Sequence, residues 1–87
     1  MKLKLSYGRN ILFSQIAEKG PVRLGLVLQS VKENHPKIYQ SWCEDDGNFR
    51  DTLPVFVNGE HVRYKDGMDT ELHSGDEVYI IPLITGG

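Results

Sequence analysis

Apolar and polar residues alternate over Lys2-Leu3-Lys4-Leu5-Ser6-Tyr7, which predicts a strand with Leu3, Leu5 and Tyr7 on one face and the lysines toward water. Gly8-Arg9-Asn10 supplies a turn, and Ile11 to Ala17 a second strand of weaker alternation, closed by Gly20-Pro21. The period then changes. Leu24, Val27, Leu28 and Val31 fall at i, i+3, i+4 and i+7, one stripe of a helix, with Gln29, Lys32 and Glu33 on the opposite side. No Ser, Thr or Asp precedes Leu24 to cap this helix. His35-Pro36 ends it, because the residue before a proline is driven out of helical geometry.

Residues 37–52 carry the weakest pattern. Ile38, Tyr39 and Trp42 are expected to form a short helical turn on the domain edge, and Cys43 to Asp51 a polar loop around Asp45-Asp46-Gly47-Asn48. Strand signals return at Leu53 to Val57, with Val55 and Val57 on one face. Asn58-Gly59 is the signal for a type I′ hairpin, and His61 to Tyr64 is expected to return as the partner strand. Asp66-Gly67 makes a further turn and Met68 to Leu72 a connector. Ser74-Gly75-Asp76 leads into a last strand over Glu77 to Leu83, with Pro82 near its end, where a missing N–H is tolerated.

The order is strand, strand, helix, strand, short strand, strand, so the fold class is α+β: one main helix packed across a mixed sheet of four to five strands. If the first and last strands are parallel neighbours, this is the order of the β-grasp fold. At 87 residues the chain holds one core. A net charge of −2 gives no reason to expect nucleic acid or an anionic membrane as partner. No segment approaches the roughly 20 apolar residues of a membrane helix, and no signal-peptide pattern opens the chain. One cysteine, Cys43, permits no internal disulfide, which is compatible with a reducing cytoplasm.

The remaining candidate chemistry sits after Ile84, in Thr85-Gly86-Gly87. Two glycines lack Cβ atoms and can thread a narrow channel. A C-terminal carboxylate is ionised at neutral pH and can attack the α-phosphate of ATP, giving an acyl adenylate that a sulfur nucleophile or a lysine amine then opens. Frayed chain ends also carry glycines. Position gives this pair its weight: it lies just beyond a predicted final strand.

Val55-Phe56-Val57-Asn58-Gly59-Glu60-His61-Val62-Arg63-Tyr64, then Gly75-Asp76-Glu77-Val78-Tyr79-Ile80-Ile81-Pro82, then Gly86-Gly87, stand in the order and spacing of the MoaD/ThiS family of sulfur carriers, which this chain resembles. Leu24-Gly25 before the apolar helix resembles the family's helix opening, while Phe13 to Arg23 departs from its pattern. In detail the chain is most similar to the carriers that feed cysteine synthesis. The resemblance implies a ubiquitin-like β-grasp domain over residues 1–83 and a flexible tail over 84–87. It implies adenylation at Gly87 by an adenylyltransferase of ubiquitin-activating type, a thiocarboxylate there, and delivery to a sulfur-accepting synthase, with a metalloprotease as a further partner releasing product. The protein would be a cytoplasmic monomer and a substrate rather than an enzyme. It would hold no cofactor, ATP being bound by the partner, since the chain has no glycine-rich phosphate loop.

Other residues carry less. His35, His61 and His73 lack metal-ligand spacing, and Asp45, Asp46 and Asp51 lack that of an EF-hand, so a solvated acidic loop is expected. Alternation leaves Phe56, Tyr79 and Ile81 unable all to lie beneath one helix. These three and His61 are the candidate partner-binding residues, unless Trp42 or the 37–52 segment covers them. Three further roles stay open: a lysine-conjugated modifier, the small subunit of a molybdopterin synthase, and a β-grasp interaction module with an inert end.

Overall fold

The computed structural model describes residues 1–82. Its main sheet contains β1 (Lys2–Tyr7), β2 (Asn10–Gln15), β4 (Val55–Val57), β5 (Glu60–His61) and β7 (Glu77–Ile80), in the spatial order β2-β1-β7-β4-β5. β1 and β7 are parallel, with Leu5 opposite Val78 and Tyr7 opposite Ile80; the other neighbours are antiparallel. The first and last strands are therefore central partners, and the chain has the ubiquitin-like β-grasp arrangement.

Helix α1 (Leu24–Asn34) packs on one face of this sheet. Its predicted stripe, Leu24, Val27, Leu28 and Val31, is the part that is buried. These side chains meet Leu3 and Leu5 of β1, Val55 and Val57 of β4, and Val78 and Ile80 of β7 in one core. Each fully buried Val or Leu contributes about 1.5–3 kcal/mol by leaving water. Helix α1 begins without a side-chain cap. The Thr70 carbonyl instead accepts the Leu24 N–H at 2.9 Å, so a segment distant in sequence satisfies one of the N–H groups orphaned at the helix start.

Four expectations need correction. Trp42 is not on the domain edge. It is 1 % exposed, follows the short helix α2 (Pro36–Ser41), and meets the Tyr7 ring edge-on with centroids 5.7 Å apart. Its ring joins the core cluster, with Tyr7 and Tyr39 packed against it. Second, only Glu60 and His61 of the hairpin's return arm pair as strand; Val62–Tyr64 wind into a 3-10 turn. The His61 Nδ1 accepts the Arg63 N–H at 3.1 Å, and Val62 turns into the core, so that N–H is committed locally rather than to a ladder. Third, the Met68-to-Leu72 connector is structured. Gly67–Asp69 form a 3-10 turn, and β6 (Glu71–Leu72) pairs antiparallel with β3 (Val22–Arg23) as a separate two-stranded sheet. Fourth, the last strand ends at Ile80 rather than running on to Leu83. Ile81 adds one further bond, its N–H donating to the Pro54 carbonyl at 3.1 Å, and Pro82 has no N–H to continue the ladder. Leu83 is outside the described residues.

Candidate functional site

The second face of the sheet carries no helix. Lys4, Ser6, Glu77 and Tyr79 point away from α1, since their strand neighbours Leu3, Leu5, Val78 and Ile80 are all in the core. The register then aligns one row across all five strands: Ile11, Ser6, Tyr79, Phe56 and His61. Cross-strand neighbours on one face lie close enough for their side chains to touch. The Phe56 and His61 rings meet edge-on at 5.0 Å, and Tyr64 stands edge-on to His61 at 6.4 Å. Tyr79 is 44 % exposed, Ile81 41 %, Ile11 59 % and Tyr64 75 %. Exposed apolar side chains of this size, gathered in one band on a small domain, form a patch of the kind that meets other proteins. One ion pair lies on the same face, Lys4 with Glu77 at 3.8 Å, and a second, Lys65 with Glu60 at 3.2 Å, is at the hairpin edge, where Glu60 stands opposite the buried Val57. Such exposed pairs add little stability.

Phe56, Tyr79, His61 and Ile81 are thus on the outer side of the sheet. Trp42 is in the core, whereas Phe49, Arg50 and Asp51 of the 37–52 segment line a shallow cavity together with His61. The structure adds Ile11 and Tyr64. Ile11 was hidden by the weak alternation of the second strand. Tyr64 falls in the strand that the sequence pattern predicts, whereas the structure places it in a 3-10 turn.

The two sequence motifs meet in space. Asn58 sits at φ 51° and Gly59 at φ 84°, the left-handed pair that a type I′ turn requires. The Asn58 side chain then reaches the turn before β7. Its Oδ1 accepts the Glu77 N–H, and its Nδ2 donates to Asp76 Oδ1, both at 3.0 Å. Asp76 Oδ2 accepts the His73 N–H at 2.8 Å. One carboxylate and one amide therefore tie the β4–β5 hairpin to the entry of the last strand. That strand ends at Ile80 and is followed in sequence by Ile81, Pro82 and then Leu83 to Gly87. Thr85, Gly86 and Gly87, the candidate reaction site and its approach, lie outside the described residues.

The other polar candidates have local duties. The His35 N–H closes the end of α1 on the Val31 carbonyl. The Asp46 side chain accepts the Asn48 N–H at 3.0 Å, which shapes the acidic loop as a turn. Cys43 is half-buried and bridges to Phe49. Beside it, the Tyr39 phenol is raised above its ordinary range, first by desolvation and then by Cys43. Among the described residues no three His, Cys, Asp or Glu side chains gather as a metal site, and no helix is long and apolar enough to cross a membrane.

Comparison with known proteins follows the same lines. The ThiS family model matches residues 9–87. The sulfur carrier protein CysO of Mycobacterium tuberculosis is 30 % identical over 66 residues, covering 74 % of this chain and 71 % of that protein. A relative from Archaeoglobus fulgidus is 50 % identical over 42 residues, so that match spans about half of each chain, 48 %. Among solved structures, the small archaeal modifier protein 1 of Haloferax volcanii superposes with a TM-score of 0.73 at 20 % identity, covering 94 % of this chain and 97 % of that one. At that identity the likeness concerns the fold.

Proposed function

We propose that this chain, which belongs to the ThiS family, is a sulfur carrier that acts through the Gly87 carboxylate and is itself a protein-bound substrate rather than a catalyst. The observation that carries the reading is the open outer sheet face. Tyr79, Phe56, His61, Tyr64 and Ile81 offer an apolar docking surface, and the strand bearing Tyr79 is the one that leads toward Gly86-Gly87. A partner of ubiquitin-activating type would hold this face and receive the terminal residues in its ATP site.

In the first step a Gly87 carboxylate oxygen bonds to the α-phosphorus of ATP, the α–β phosphoanhydride breaks, and pyrophosphate leaves. In the second, a hydrosulfide-level nucleophile attacks the Gly87 carbonyl carbon, the acyl–phosphate bond breaks, AMP leaves and a proton is released. The product is a thiocarboxylate that a synthase can accept. Likeness to CysO favours cysteine as the destination, with other thio-metabolites using the same chemistry. ATP stays with the partner, and the cytoplasm is the compartment that supplies it.

Intact mass after incubation with the activating enzyme, ATP and sulfide tests the reading. The expected shift is that of one oxygen replaced by sulfur, confined to the C-terminal peptide. No shift with an enzyme competent on another carrier would sink it. A mass gain from isopeptide linkage to lysine, in place of the thiocarboxylate, would assign the chain as a modifier.

A further inference from the structure

Asn58 does more than form the hairpin turn. It holds the entry of the last strand through three hydrogen bonds. Its backbone N–H donates to the Glu77 carbonyl at 2.8 Å, its Oδ1 accepts the Glu77 N–H at 3.0 Å, and its Nδ2 donates to Asp76 Oδ1 at 3.0 Å. The side chain has to donate and accept at once, which a neutral amide does and an ionised carboxylate does not. Gly59 follows. Both residues are exposed, and a Cβ built on Gly59 would meet no atom within 4 Å, so the peptide between them is open to water. Among the described residues the Gly59 N–H has no hydrogen-bond acceptor. Of the four asparagines in the chain only Asn58 precedes glycine; Asn10, Asn34 and Asn48 precede Ile11, His35 and Phe49, whose side chains crowd the nitrogen that glycine leaves open.

We propose that Asn58 is a deamidation site, and that its conversion to aspartate opens the junction between the β4–β5 hairpin and the last strand. The Gly59 nitrogen bonds to Asn58 Cγ, the Cγ–Nδ2 bond breaks, and Nδ2 leaves as ammonia with the proton that Gly59 gives up. A five-membered succinimide results. Water adds to one of its two carbonyls and the ring C–N bond there breaks. Opening at Cγ gives aspartate, and opening at the main-chain carbonyl gives isoaspartate. One water is consumed, one ammonia is released, and nothing is oxidised or reduced. The two side-chain bonds oppose the first step, so it proceeds when the exposed hairpin tip opens locally. Aspartate keeps the turn, because a short polar side chain tolerates the left-handed backbone at φ 51°. It does not keep the junction. The donor is gone, and a carboxylate oxygen takes the place of Nδ2, which is 3.0 Å from Asp76 Oδ1. Two carboxylates that close cannot both stay ionised without repulsion. The hairpin tip, with Glu60 and His61, then loosens from Glu77. The inference goes beyond the carrier reading and involves no partner protein.

The test ages the wild-type chain in warm, mildly alkaline buffer and reads it by intact mass, peptide mapping and amide hydrogen exchange, beside Asn58→Asp and the double variant Asn58→Asp/Asp76→Asn. Aged wild type should trade one amide for one hydroxyl at Asn58, as aspartate and isoaspartate, with Asn10, Asn34 and Asn48 intact. Asn58→Asp should quicken exchange at the Glu77 amide about tenfold or more, as expected for one lost hydrogen bond to a charged group, and leave Leu5 and Val78 in the sheet centre as they are. The double variant should recover Glu77 protection, because the donor then comes from position 76 and the acceptor from position 58. Should Asn58→Asp not fold, the aged wild type, separated by ion exchange from the unreacted chain, supplies the Glu77 comparison. Asn58 staying intact in the folded chain, while the urea-unfolded chain loses it in the same buffer, would overturn the site. So would modification spread evenly over the other asparagines. Unchanged Glu77 exchange after conversion, or no recovery in the double variant, would overturn the unlocking.

Discussion

Replacing Tyr79 by alanine should separate binding from folding. Tyr79 is at the centre of the outer face, on β7, between Ser6 of β1 and Phe56 of β4. Its side chain is 44 % exposed, so of the 150–250 Å² an aromatic residue can bury, about 65–110 Å² is left for a partner to cover. At about 25 cal/mol per Å² that area is worth about 1.6–2.8 kcal/mol, or roughly 15- to 100-fold in Kd. The cost to folding is smaller. Cross-strand pairs on an exposed face contribute about 0.2–1 kcal/mol each, so losing the Ser6 and Phe56 neighbours costs about 0.4–2 kcal/mol. A domain of this size is stable by about 4–13 kcal/mol and stays folded. Calorimetric titration against the activating enzyme reads the first quantity and urea denaturation the second. An affinity changed by less than about threefold, in a variant whose denaturation shows it folded, would refute the docking role of this face. A loss of affinity that merely tracks unfolding would refute the separation.

Other outcomes follow from the same contacts. Trp42 Nε1 is buried with no hydrogen-bond partner among the described residues. Trp42→Phe therefore trades a lost ring for the removal of an unpaired donor that costs about 1–3 kcal/mol, and should change stability by less than about 1.5 kcal/mol in urea unfolding, whereas Trp42→Ala should cost about 3–5 kcal/mol. Asp76→Ala removes acceptors from both Asn58 Nδ2 and the His73 N–H. It should destabilise by about 1–3 kcal/mol in the same assay, with hydrogen exchange quickening first at His73. Deleting Gly86 and Gly87 should abolish ATP–pyrophosphate exchange and leave the urea midpoint of the domain where it is. Retained exchange would move the reaction away from Gly87.

Local pattern carried a good part of this protein. The 2–7 alternation, the 24–31 stripe, the Asn58-Gly59 turn and the apolar outer positions of the last strand are properties of a few neighbouring residues, and the structure keeps them. Strand and helix periods follow from backbone geometry, so they can be read without knowing what lies opposite. Tertiary contact decided the rest. Leu24 starts a helix without a cap of its own because the Thr70 carbonyl arrives from elsewhere. Trp42 looks like an edge residue in a polar stretch until the second helix turns its ring against Tyr7. Val62 leaves the hairpin because His61 takes the Arg63 N–H.

The candidate site divides the same way. That Phe56, Tyr79 and Ile81 could not all be buried was visible from alternation alone. That Phe56 and Tyr79 share a row with Ile11 and His61 required the pairing of five strands from both ends of the chain. Glycine at position 8 looked like ordinary turn chemistry, and Pro82 like a strand end. Their meeting depends on β1 and β7 lying parallel, which brings residues 74 positions apart, by the numbering of the chain, into contact. Sequence periodicity sets which face each residue takes. Only the folded sheet sets which strands become neighbours, because that choice is made by packing between segments that carry no local trace of one another.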